Sequence, residues 1–164
     1  MFRKTFILAL GLAGALTTHA AFAGSATGTL NVTGTVTNSC TTSGGSLSFG
    51  TLDGVTAATG SGSISVTCTN GTSATIALDK GLGSGASIAA RQMAGVTDNT
   101  KSITYSLFSD SGHSTLWGDG TNGSTLSYSG TGNADTVPVY GSIAASQHVP
   151  AQVYNDSVTV TVAY

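Results

Sequence analysis

Glutamate is absent from this sequence, and charge of either sign is scarce: five lysines and arginines stand against seven acidic residues, all aspartate. So few cations exclude a surface built for nucleic acid or for an anionic membrane, which needs clustered Lys and Arg. Histidine occurs three times, at His19, His113 and His148, and no Gly-x-Ser-x-Gly elbow is present. That removes the nucleophile-and-base apparatus of a hydrolase, and the scattered aspartates, as in Asp53-Gly54 and Asp119-Gly120, read as turn formers. No enzyme is expected. Cysteine is limited to Cys40 and Cys68. The apolar run at residues 6–16 falls far short of the roughly 20 residues a bilayer requires.

That run has another meaning. Arg3 and Lys4 precede it, and Ala21-Phe22-Ala23 follows a short polar stretch. A basic start, a short apolar centre and a small-x-small end describe a secretory signal peptide over residues 1–23, cut after Ala23. Removing it leaves Lys80, Arg91 and Lys101 as the cations of residues 24–164, which are long enough for one domain with a core. An exported chain meets an oxidising compartment, so Cys40 and Cys68 are expected to form a disulfide. Closing that loop stabilises by about 3 to 4 kcal/mol on a chain-entropy estimate. A two-ligand metal site is the rival, and no histidine sits near either cysteine. No cofactor is expected.

What the chain holds in quantity is Gly, Ser and Thr, interleaved with short alternating apolar runs. Low charge with such a composition suggests disorder, but disordered chains lack patterned β-branched residues. No helical repeat appears after residue 23. Strand candidates are "TLNVTGTV", with Leu30, Val32 and Val36 on one face; "LSFG"; "SISVTCT", with Ile64, Val66 and Cys68; "TSATIALD", with Ala74, Ile76 and Leu78; and "SITYSLFSD", with Ile103, Tyr105 and Leu107. Asn70-Gly71 marks a tight turn. Shorter candidates are "TLWG", "TLSYSG" and "DTVPVYGSI", where Pro138 argues for an edge strand or a bulge. Residues 81–100 read as the longest irregular connection. The fold class is all-β, a single sandwich.

The closing "NDSVTVTVAY" alternates Val158, Val160 and Val162 with Thr159, Thr161 and Ala163, up to Tyr164. An apolar edge strand invites pairing with a neighbour. Either the two termini pair inside one sandwich, or the N-terminal segment leaves its own domain and lies beside the last strand of another copy.

Other features carry weaker chemistry. "GDGTNG" at residues 118–123 matches G-x-G-x-x-G, but no helix follows and it reads as a loop. Its carboxylates are too few for a helix–loop–helix calcium site. Trp117, Tyr128 and Tyr140 are candidates for a sugar-stacking platform, though single aromatics in alternating strands are more often core. Asn31, Asn70, Asn122 and Asn155 each begin an Asn-x-Ser/Thr triplet, which arises by chance in so Ser/Thr-rich a chain.

Along nearly the whole of residues 24–164 the sequence resembles the spore coat protein U domain family, the pilin fold of archaic (Csu-type) chaperone–usher pili, and looks like a major subunit. The residues that carry the resemblance are Cys40, Leu47-Ser48-Phe49-Gly50, Ile64-Ser65-Val66-Thr67-Cys68-Thr69, Arg91 with Met93, and Tyr105-Ser106-Leu107-Phe108 with Asp110. They continue through Leu116-Trp117-Gly118, Val139-Tyr140-Gly141-Ser142-Ile143 and Tyr154-Asn155-Asp156-Ser157-Val158 to the aromatic end, Tyr164. Ala151-Gln152-Val153 departs from the pattern, standing where a Gly is more usual.

The resemblance implies an incomplete immunoglobulin-like β-sandwich that lacks its last, seventh strand and is completed by a donor strand. Residues 24–36 are then the N-terminal donor or first-strand segment, with Ala26, Leu30, Val32 and Val36 as donor side chains. Residues 37–164 are the sandwich, with Val158, Val160, Val162 and Tyr164 along the edge of the acceptor groove. The earlier half of the segment, residues 26–33, is the better donor, because Cys40 ties the later half to Cys68. The implied partners are neighbouring copies or related pilins, a periplasmic chaperone and an outer-membrane usher. No nucleic acid and no membrane insertion after cleavage are expected. The protein is expected in the periplasm in transit and then on the cell surface in a fimbrium that supports adhesion and biofilm formation. A secreted spore-coat or matrix protein with a closed domain, and a small carbohydrate-binding sandwich, are the alternatives.

Overall fold

The computed structural model describes residues 23–164, so the expected leader lies outside the described residues except for Ala23. The chain divides into two units, Met1–Thr35 and Val36–Tyr164. In the first, residues 23–35 form no strand. All nine described strands belong to the second: β1 (Cys40–Ser48), β2 (Ala58–Cys68), β3 (Ser73–Leu78), β4 (Arg91–Gly95), β5 (Ser102–Phe108), β6 (Leu126–Ser129), β7 (Ala134–Ile143), β8 (Tyr154–Asn155) and β9 (Val160–Ala163). There is no helix among the described residues.

The strands form a six-stranded sheet in the order β1-β2-β7-β5-β4-β8 and a three-stranded sheet in the order β6-β3-β9. Alternation decides what each strand buries, since successive side chains leave opposite faces. Ile64, Val66 and Cys68 of β2, Ile103, Tyr105 and Leu107 of β5, and Val137, Val139 and Ile143 of β7 pack with Ala74, Ile76 and Leu78 of β3 in one core. Cys40 and Cys68 are disulfide-bonded, and they are also the first register pair of β1 and β2. At Asn70-Gly71 the chain turns, with Thr72 N–H donating to the Thr69 carbonyl (3.0 Å) and Gly71 at φ 79°. The strands this turn joins, β2 and β3, belong to different sheets. It is a corner, not a hairpin.

Two large, fully buried side chains that carry polar N–H groups complete the core. Trp117 is fully enclosed and its indole N–H donates to the Ile76 carbonyl at 2.9 Å. Arg91 is equally enclosed and meets no carboxylate directly; its guanidinium donates to the carbonyls of Asp79, Ile88 and Trp117 at 2.9, 3.0 and 2.9 Å, with a longer bond to Leu78. Burial pushes the guanidinium below its ordinary pKa, against the opposing influence of Tyr105 and Asp79.

Several sequence expectations need correction. "TLNVTGTV" makes no strand within this chain; the first strand among the described residues is β1, whose side chains are mostly exposed. Residues 81–100 are not wholly irregular, since β4 lies there and pairs with β5. Its most deeply buried side chain is Arg91, a cation where alternation looks for an apolar residue, and Met93 is the one large apolar residue on the same face, so the period is hidden. β7 is an interior strand despite Pro138. However, β5 pairs with β7 only from Tyr140 to Ser142, so Pro138 lies beyond the stretch that β5 covers, a position where a missing donor is tolerated.

Candidate functional site

Between the edge of each sheet lies a cleft of about 380 Å³. One wall is β1. Its register with β2 shifts between Ser43 and Ser46, so Gly44 and Gly45 bulge out of the ladder. Gly45 presses on β2 so closely that a Cβ would stand 1.5 Å from the Ser63 carbonyl oxygen, which no other residue type permits. Adjacent glycines inside a strand are the sequence signal for such an approach, and alternation alone passes over it. The floor is apolar, from Ile64, Leu78, Leu107 and Val139.

The other wall is the segment from Tyr154 to Val160. β9 pairs with β3 through Ile76↔Val162 and Leu78↔Val160, and it has no other strand partner among the described residues. Its hydrogen bonds show which main-chain groups are taken. Asp79 N–H donates to the Thr159 carbonyl at 3.1 Å, whereas Leu78 N–H donates away from β9, to Gly118. Because N–H and C=O groups alternate sides along an antiparallel strand, Thr159, Thr161 and Ala163 address β3. Those of Val158, Val160 and Val162 then address the open side. The same three valines turn half-buried side chains onto the core. They therefore combine an apolar inner face with an unpaired main chain. This is the arrangement an added strand requires.

The remaining predicted site residues fall as follows. Ala26, Leu30 and Val32 lie in the strand-free residues 23–35, and Val36, exposed, opens the second unit. Tyr164 follows the last residue of β9, is 61% exposed and lines a second hollow beside Ala74, Thr75 and Tyr128. Cys40 and Cys68 anchor β1 where it begins, leaving the Gly44-Gly45 stretch as the part that borders the cleft.

Polar side chains around the fold serve backbone turns. Asp110 accepts from Thr115 N–H at 2.6 Å and from Ser114 N–H at 3.1 Å, which lowers its pKa to about 2. Asp119 accepts from the N–H groups of Thr121 and Asn122 within "GDGTNG", closing a turn rather than a phosphate cradle. Trp117, being enclosed, has no face to offer a sugar, while Tyr128 and Tyr140 are half-buried. His113 Nε2 lies 3.2 Å from the Gly141 carbonyl oxygen and its ring meets Phe108 edge-on. Among the described residues, no three His, Cys, Asp or Glu side chains gather as a metal site would need.

Comparison with known proteins agrees with this architecture. The model of the Spore Coat Protein U domain matches residues 26–161. The chain is 36% identical over 177 residues to "Protein U" of Myxococcus xanthus, covering 98% of each. Among solved structures, a chain of the CsuC–CsuE chaperone–tip adhesion subunit pre-assembly complex, from archaic chaperone–usher Csu pili of Acinetobacter baumannii, is similar in fold. That likeness has a TM-score of 0.57 at 23% identity, covering 79% of this chain and 40% of that one.

Proposed function

The chain belongs to the Spore Coat Protein U domain family, a family of structural proteins rather than enzymes, and from that premise we propose that it is a shaft-type subunit of a bacterial surface pilus. The observation that carries the proposal is the cleft with its open β9 edge, where Val158, Val160 and Val162 present main chain outward and side chains inward. The sandwich is incomplete in this reading. Its missing strand is residues 26–33 of a neighbouring copy, whose Ala26, Leu30 and Val32 alternate at the spacing that fills a cleft from above, with Val36 following in phase.

Magnitudes support it. Burying three or four such side chains contributes about 5 to 10 kcal/mol before ordering costs, comparable with the whole stability of a small domain. A subunit with an empty cleft is then marginal alone and needs a temporary occupant. A periplasmic chaperone supplies that occupant and an outer-membrane usher exchanges it for the next subunit. The similar structure is a pre-assembly complex of a chaperone with a pilus tip adhesion subunit, which favours the first of these partners. Residues 1–23 direct export, and the assembled fibre stands at the cell surface and supports adhesion and biofilm formation.

The experiment is deletion of residues 24–33 from the exported chain, co-expressed with its chaperone and usher. Loss of SDS-resistant ladders with retention of the chaperone-bound monomer is expected. Ladders that persist in the deletion overturn the mechanism.

A second reading is favoured by the match of residues 26–161 to the Spore Coat Protein U domain: a secreted coat or matrix protein that uses the domain as a closed module. A purified chain that stays monomeric and melts reversibly without a chaperone supports that reading over the pilus.

A further inference from the structure

Residues 156–159 carry the chain from β8 in one sheet to β9 in the other, and none of them belongs to a strand. Three of them, Asp156, Ser157 and Val158, also line the cleft. The half of the acceptor edge nearest β8 is therefore outside any ladder, yet its main chain must be extended and fixed if a strand is to pair with it.

Two carboxylates do the fixing. Asp156 Oδ1 accepts from Leu82 N–H and from Ser157 N–H, both at 2.8 Å, and its Oδ2 accepts from the Tyr105 hydroxyl at 2.7 Å. At the far end, Asp79 Oδ1 accepts from Thr159 N–H and from Gly81 N–H, both at 2.9 Å, while Asp79 N–H returns a bond to the Thr159 carbonyl. Hydrogen bonds to an ionised acceptor are roughly twice as strong as neutral ones. Burial first, and then the bond to Asp156, raise the pKa of Tyr105, so its hydroxyl remains a donor.

The surroundings are shaped to this arrangement. Gly81 has φ 78°, and a Cβ there would stand 2.1 Å from Asp156 Oδ2, so the loop reaches the carboxylate only as glycine. Arg91, from behind, donates to the Asp79 and Leu78 carbonyls and holds the other side of that loop.

The geometry points to Asp156 as a positioning residue that presets the ladder-free half of the acceptor edge, with Asp79 tying its far end. The inference rests on the strand-acceptor reading above and says which residues make the cleft ready before a strand arrives. An edge already in place binds without the ordering that a slack one undergoes on contact. Neither aspartate is asked to touch the incoming side chains.

Uptake of a synthetic peptide of residues 24–38 by the chain of residues 24–164, followed by stopped-flow fluorescence alongside a urea melt, tests this. Asp156→Ala is expected to slow association about tenfold, because the edge must then be ordered on contact, with dissociation changed far less. Asp156→Asn, which keeps an acceptor for Leu82 and Ser157, restores most of the rate. Gly81→Ala displaces the same carboxylate from the opposite side and is expected to reproduce the slowing. Tyr105→Phe carries the test if Asp156→Ala does not fold. Variants that melt earlier but take up peptide at the wild-type rate overturn the positioning role while leaving the acceptor reading intact. A wild-type chain that stays monomeric and takes up no peptide overturns the acceptor reading, and this inference with it.

Discussion

The ring of Phe49 closes over Gly141: a Cβ at position 141 would stand 2.6 Å from Phe49 Cζ and 3.1 Å from Leu47 Cδ2. Gly141 sits on the inward face of β7 between Val139 and Ile143, so the missing side chain is what lets the end of β1 fold down onto the core. Phe49 in turn meets Tyr105 edge-on at 6.0 Å and lines the cleft. Gly141→Ala is expected to destabilise by about 1 to 3 kcal/mol, the usual cost of overpacking. Ser142→Ala, on the outer face of the same strand, should stay within about 0.5 kcal/mol. Urea midpoints measured on both separate the two effects.

Arg91 supplies a second test. Its guanidinium serves four carbonyls in a place closed to bulk solvent, with no directly bonded carboxylate. Arg91→Ala leaves those acceptors unpaired and opens a cavity, so a loss of about 3 to 5 kcal/mol is expected, as when a buried polar hub loses its centre. Arg91→Lys is not a rescue, because one ammonium cannot reproduce the planar fork that reaches several carbonyls at once. Denaturation by urea checks both variants; equal midpoints for wild type and Arg91→Lys would show the fork to be dispensable.

Much of this was legible in the residues. The strands with clean alternation, β2, β3, β5 and most of β7, are where Ile64, Ile76, Ile103 and Val137 announce an inward face. The disulfide followed from having two cysteines in a chain expected to be exported. β1 was not legible as a strand from Cys40 to Ser48, because "CTTSGGSLS" offers only Leu47 as a large apolar residue. An edge strand beside an open cleft buries little on its own account, so selection for alternation is weak there. β4 was hidden by Arg91, whose role as a core residue depends on carbonyls from two distant segments, at Leu78-Asp79 and Trp117, as well as the nearby Ile88. The Val158, Val160 and Val162 face was readable, but which side their main chain addresses required the β3 register. Asp156 was only one residue of a matching motif until Leu82, Gly81 and Tyr105 were seen around it.

Acid should find the Asp110 turn unusually resistant. Backbone N–H donors from Thr115 and Ser114 stabilise its ionised form and lower the pKa from 3.8 to about 2. A depressed carboxylate pKa means that the stabilisation is fully present above the unfolded value and is lost as pH falls through the folded one. The turn is therefore expected to hold between pH 4 and about 2, where ordinary carboxylates have already protonated. An NMR titration following the Thr115 amide should show its midpoint near the lower figure. A midpoint near 3.8 would mean that the hydrogen bonds do not favour the charged form.

The two sides of β9 make the sharpest contrast. Proline removes a main-chain donor and is tolerated on an edge strand only where that donor faces no ladder partner. Val160 directs its N–H to the cleft and Thr161 directs its own to β3, one residue apart in the same strand. Val160→Pro should thus leave the β3–β9 ladder in place, changing the urea midpoint little more than Val160→Ala does. Thr161→Pro should cost about 3 kcal/mol or more, as proline does wherever it breaks a structured hydrogen bond. Assembly should separate in the opposite sense. A cleft-facing donor absent at position 160 deprives an incoming strand of a main-chain partner at the centre of the edge, so ladders on SDS gels are expected to fall away while the folded subunit persists. A Val160→Pro chain that assembles as well as wild type would place the joining surface somewhere other than this edge.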